Sequence, residues 1–99
     1  MALDALDAVQ GVVGGAIKFH FDLTSDILYL RLLEQAETPA YSEETKDGYF
    51  LVRALDTDAV IGMTILGYWE HFGRKALPEL SLEELQAMVQ EAAGLLSAA

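Results

Sequence analysis

Asp22 and Asp26 bracket Leu23-Thr24-Ser25. Two acids at that spacing can hold a cation or divide acid–base work between them. Aspartates around such a segment also accept the N–H groups of their own turn. With no third ligand nearby, the turn is the expected role of both. Asp56-Thr57-Asp58 opens like a calcium loop, but that loop needs a glycine at its sixth position and a glutamate at its twelfth. Those positions hold Ile61 and Gly67, so a hairpin turn is the better reading. Tyr29 and Arg31 share one face of an apolar run. The guanidinium there could grip a carboxylate or phosphate through two parallel bonds. The plainer expectation is an ion pair with Asp22, Asp26 or an acid of the following loop. Trp69-Glu-His71-Phe-Gly-Arg74-Lys75 contains the single Trp. Trp and Arg are enriched at binding hot spots, although large aromatics also close sheet ends. His20 and His71 have no companion at zinc-ligand spacing, and no Gly-x-Ser-x-Gly marks a nucleophile. The sequence therefore names no catalytic residue, no metal and no cofactor. It leaves Tyr29, Arg31, Trp69, His71 and Arg74 as candidate ligand or interaction residues.

Composition narrows the partners. Sixteen acidic residues against 6 basic ones give a formal charge of −10, which repels phosphate backbones and acidic headgroups. Nucleic acid and membrane surfaces are disfavoured, and a basic protein is the favoured kind of partner. The chain has no cysteine, so disulfides and thiolate chemistry are excluded. Aspartates occupy the N-terminal positions where a signal peptide needs Lys or Arg, and no apolar run is long enough to span a bilayer. These features together point to a cytoplasmic protein. Hydrophobic residues make up 53% of a chain of only 99, a surplus that suggests a subunit interface.

The elements that must position the candidate residues follow from periodicity. Leu3, Leu6, Val9 and Val13 recur at helical spacing, so residues 1–15 read as an N-terminal arm or short helix broken by Gly11, Gly14 and Gly15. From Ala16 the period becomes two. Ile17, Phe19 and Phe21 alternate with Lys18, His20 and Asp22 in a half-buried strand. Ile27–Leu33 is a second strand, apolar on both faces and therefore central and covered on both sides. A loop with a short edge strand near 41–44 follows, then strands over 49–55 and 60–66 joined by Asp56-Thr57-Asp58. The Ser81–Glu84 capping box starts a helix with Leu82, Leu85, Met88, Val89, Ala92 and Leu96 on one stripe.

Residues 17–66 resemble a small bacterial family, domain of unknown function 2283. The likeness rests on Phe21-Asp22-Leu-Thr-Ser-Asp26-Ile-Leu28-Tyr29-Leu-Arg31-Leu32 and on Asp56-Thr-Asp58-Ala-Val-Ile61-Gly62-Met-Thr-Ile65-Leu66. It departs at Ala59, where the family usually has Gly, and at Thr24-Ser25, where it has Glu-Ala. The resemblance implies a compact sheet and a bacterial, cytoplasmic origin, and no activity.

The expected fold is α+β: one domain over 16–99, with an antiparallel meander of four to five strands and the C-terminal helix packed on one face. One helix covers one face only, so a homodimer is expected to bury the other face, the N-terminal arm, or both. The leading functional expectation is a non-enzymatic interaction or regulatory module. One alternative is a small-molecule-binding or enzymatic domain with a pocket near Tyr29, Arg31 and His71. Another is an antitoxin-like partner of a small basic protein.

Overall fold

A computed structural model describes residues 7–46, 48–72 and 82–97. The sheet has six strands: β1 (Ala8–Val13), β2 (Ile17–Asp22), β3 (Ile27–Leu32), β4 (Ala40–Lys46), β5 (Tyr49–Ala54) and β6 (Val60–Leu66). Their order is β1-β2-β3-β6-β5-β4, and every neighbouring pair is antiparallel. Two three-stranded meanders thus meet along the β3–β6 seam. A 3-10 turn, Leu33–Gln35, starts the connection that carries the chain from β3 to the far edge. Among the described residues two helices follow, α1 (Tyr68–Phe72) and α2 (Leu82–Ser97). The α+β class with a C-terminal helix is as expected, and the strand count is six rather than four to five.

The additional strand is β1, which replaces the expected N-terminal helix over Ala8–Val13. Val9 and Val13 are spaced by four, which fits a helix turn but equally fits every second position of a strand. Gly11 lies between them and hides the alternation, because its missing side chain makes room for the Phe19 ring. A Cβ on Gly11 would lie 3.1 Å from Phe19 Cε1. Val9, Gly11 and Val13 stand opposite Phe21, Phe19 and Ile17 across the β1–β2 pair. Gly14 and Gly15 do not break a helix. Both have positive φ, 60° and 70°, the requirement of the tight hairpin turn that joins β1 to β2. The capping box at Ser81 lies outside the described residues.

One face of the sheet carries the main core. Phe19, Phe21, Leu28, Leu30, Met63 and Ile65 point to it, and Leu85, Val89, Ala92, Ala93 and Leu96 of α2 pack down on them together with Tyr68. Met88 sits half-buried at the margin of this stripe. On the opposite face a smaller apolar cluster of Val52, Ala54 and Ile61 occupies the β5–β6 end. A bulge between Val52 and Arg53 lets Ile61 join it. The expectation that β3 is covered on both sides therefore holds only in part. The Arg31 end lies beneath the loop that follows β3, and Tyr29 remains 42% exposed.

Candidate functional site

The aspartates of the first turn act as turn and cap groups. Asp22 Oδ1 accepts from the N–H groups of Thr24 (3.0 Å) and Ser25 (3.1 Å), as the turn reading requires. Asp26 differs from expectation. Its carboxylate reaches away from its own turn to the start of α1, where Oδ1 accepts from Trp69 N–H (2.7 Å) and Oδ2 from Glu70 N–H (3.1 Å). Its carbonyl accepts from Gly67 and Tyr68 N–H, and its φ is +55°. Asp26 thus bolts the β2–β3 hairpin to the end of β6.

The second acidic turn follows the same logic. Asp58 takes the left-handed conformation (φ +61°) and donates its N–H to Ala54 carbonyl, while its Oδ1 accepts from the Tyr41 hydroxyl at 2.6 Å. That bond holds the Tyr41 hydroxyl above its ordinary pKa. With Asp58 supplying the positive φ, Ala59 needs none, so the turn closes without a glycine there. Arg53 Nε donates to Glu43 Oε1 at 3.1 Å, and Nη1 to the Asp58 carbonyl.

Arg31 has no carboxylate partner among the described residues, contrary to the expected ion pair. Its Nη1 donates to the carbonyls of Gln35 (3.0 Å) and Thr38 (3.1 Å), pinning the loop after β3 against the sheet. The Nε and Nη2 groups make no hydrogen bond among the described residues. Beside this guanidinium the face opposite α2 sinks into an open depression of about 220 Å³, lined by Lys18, His20, Tyr29, Arg31, Ala36, Val52 and Thr64, and by Phe19 and Leu30 of the two strands. Antiparallel register sets Lys18 directly opposite Arg31 and His20 directly opposite Tyr29, while Thr64 stands opposite Tyr29 on the other side. The His20 and Tyr29 rings tilt together with centroids 5.9 Å apart, and His20 Nδ1 lies 3.4 Å from Gln10 Oε1. Among the described residues no acid lines the depression.

Two of the expected site residues, Tyr29 and Arg31, are brought together here. Trp69 is not among the lining residues. It packs half-buried against the main core at the start of α1. His71 belongs to α1 by its backbone. The His71 side chain and Arg74 lie outside the described residues. The sequence does not single out Lys18, His20 and Thr64 as site residues. The first two were within reach: counting back from the Asp22–Asp26 turn, β2 pairs with β3 so that residues 18 and 20 face 31 and 29. Thr64, Val52 and Ala36 arrive through the β3–β6 and β5–β6 pairings and the loop, which no local pattern encodes.

Among the described residues no group of three His, Cys, Asp or Glu could hold a metal ion, and no helix is long and apolar enough to cross a membrane. No family model, no curated protein and no solved structure matches this chain.

Proposed function

We propose that this chain is a non-enzymatic binding module whose recognition surface is the sheet face opposite α2, and that it works as a homodimer. The observation that carries the reading is the depression itself. On a chain of charge −10 it gathers Lys18, His20, Tyr29 and Arg31 around one concavity with no acid among the described lining residues. A few convergent polar groups above an apolar floor are the usual make-up of a ligand site. The groups present are hydrogen-bond donors, cations and rings, suited to holding a ligand. A fragment panel of anionic, neutral and cationic compounds, mapped by amide chemical shifts, tests this. Hits should cluster on Lys18–His20, Tyr29–Arg31 and Thr64. Hits on α2, or none, would remove the reading.

The contact proposed for the homodimer is the outer edge of β1, with which no other described strand pairs. Ala8-Val-Gln-Gly-Val-Val13 has no charge and no proline, and Val12 is exposed. Proteins guard open edges with charges and bulges, as β4 does with exposed Glu43 and Glu44 and a register shift beyond Glu44. An unguarded edge suits pairing with a second copy across a two-fold axis. Light scattering should give twice the chain mass of 10.8 kDa, and Val12→Lys should return the monomer. A wild-type monomer at high concentration would contradict the dimer.

A basic protein partner is the second reading. It is favoured by the exposed acids Glu43 and Glu44 on β4 and Glu83 on α2. Capture that weakens steeply with salt would support it. The likeness of residues 17–66 to domain of unknown function 2283 belongs to the same proposal, and it adds no activity.

A further inference from the structure

Lys18 and Arg31 present a conflict the fold does not need. Like charges directly opposite on antiparallel strands destabilise a sheet, and these two of the chain's 6 cations are directly opposite in the β2–β3 register. With 16 acids on the chain, neutralising partners are plentiful, yet among the described residues neither cation forms an ion pair. Positions where a local rule is broken are where functional or strained sites are expected.

The arrangement around them is specific. Among the described residues Arg31 is held by the Gln35 and Thr38 carbonyls through Nη1 alone. That leaves the Nε–Nη2 edge, the side of a guanidinium that takes an oxyanion through two parallel bonds. Gly62 lies under it: a Cβ there would come within 3.3 Å of Arg31 Nε and within 2.5 Å of the Leu30 carbonyl oxygen. Lys18 supplies a second cation, Thr64 a hydroxyl, and Val52, Ala36 and the Tyr29 ring an apolar wall. An isologous dimer with its axis through this depression would set Lys18 and Arg31 against their own copies, which disfavours a second chain as the occupant.

We propose that the depression formed by Lys18, Tyr29, Arg31 and Thr64 is a binding site for a small organic anion, a carboxylate or phosphate carried on a flat apolar body. The inference rests on the reading of this face as the recognition surface and names the chemistry of its occupant. The head group lies between the free edge of Arg31 and the Lys18 ammonium, and the body lies against Tyr29 and Val52.

The test is a chemical-shift titration of the full chain with benzoate, phenyl phosphate, benzylamine and benzyl alcohol. Benzoate, phenyl phosphate or both should shift Lys18–His20, Tyr29–Arg31 and Thr64 saturably, with a dissociation constant on the order of 1 mM. The tighter of the two names the head group. Lys18→Met, at an exposed position with no ion pair among the described residues, should weaken binding about tenfold, the size of one charged hydrogen bond. Arg31→Met should abolish binding. If it also loosens the loop, Lys18→Met still decides. Equal shifts of the same residues by benzylamine or benzyl alcohol would overturn the anion inference and leave the recognition face standing. Shifts elsewhere, or none that saturate, would overturn both.

Discussion

The Asp26 carboxylate lies 43 positions before the backbone N–H it accepts at Trp69. It satisfies two donors at the start of α1 while its own backbone occupies the left-handed region, which Asp and Asn tolerate better than other side chains. Asp26→Asn keeps that backbone and one acceptor but loses the charge and the second acceptor. It should cost about 1 kcal/mol in urea unfolding, and an unchanged midpoint would show that the cap contributes nothing. Tyr68 makes a second residue-scale prediction. Burial, and next the negative charges of Glu91 and Asp26, push its hydroxyl from 10.0 up to about 12. The folded state then holds the phenol proton more tightly than the unfolded state, so stability present below pH 10 is lost as pH rises towards 12. Tyr68→Phe should flatten the fall of the unfolding midpoint across that window. An identical fall in wild type and variant would count against it.

At the scale of elements, β2, β3, β5 and β6 were legible because period-two alternation is local and the turns at Asp22–Asp26 and Asp56–Asp58 are marked by residue type. β1 was not, because Gly11 removes the side chain that would have shown the alternation, and the reason for the glycine is a ring on another strand. The β3–β6 seam was equally hidden, since pairing between strands far apart in sequence leaves no local trace. The seam also carries the sharpest steric constraint. Gly62→Ala would drive a Cβ to 2.5 Å from the Leu30 carbonyl oxygen. It should destabilise the protein by roughly 1–3 kcal/mol, the usual cost of overpacking, read from thermal unfolding. A variant as stable as wild type would mean that the two meanders are not held this closely. The candidate site follows the same division. Lys18, His20, Tyr29 and Arg31 can be counted from one turn, whereas Thr64, Val52 and Ala36 depend on the seam and the loop.

At the scale of the whole molecule, charge decides how assembly and recognition respond to salt. Two copies of charge −10 repel one another, so pairing at the β1 edge should strengthen as ionic strength rises, while anion binding in the depression should weaken. Sedimentation and ligand titration across one salt series should show these opposite trends; parallel trends would contradict the separation of interface from site. On the anion-site proposal, Lys18 faces Arg31 for a ligand and at the expense of the fold. Urea unfolding of wild type and Lys18→Glu, with and without benzoate at moderate salt, tests it most directly. Lys18→Glu should be more stable than wild type by about 0.5 kcal/mol, because a like pair becomes an opposite one, and benzoate should raise the wild-type midpoint alone. A less stable Lys18→Glu that responds to benzoate as wild type does would contradict it.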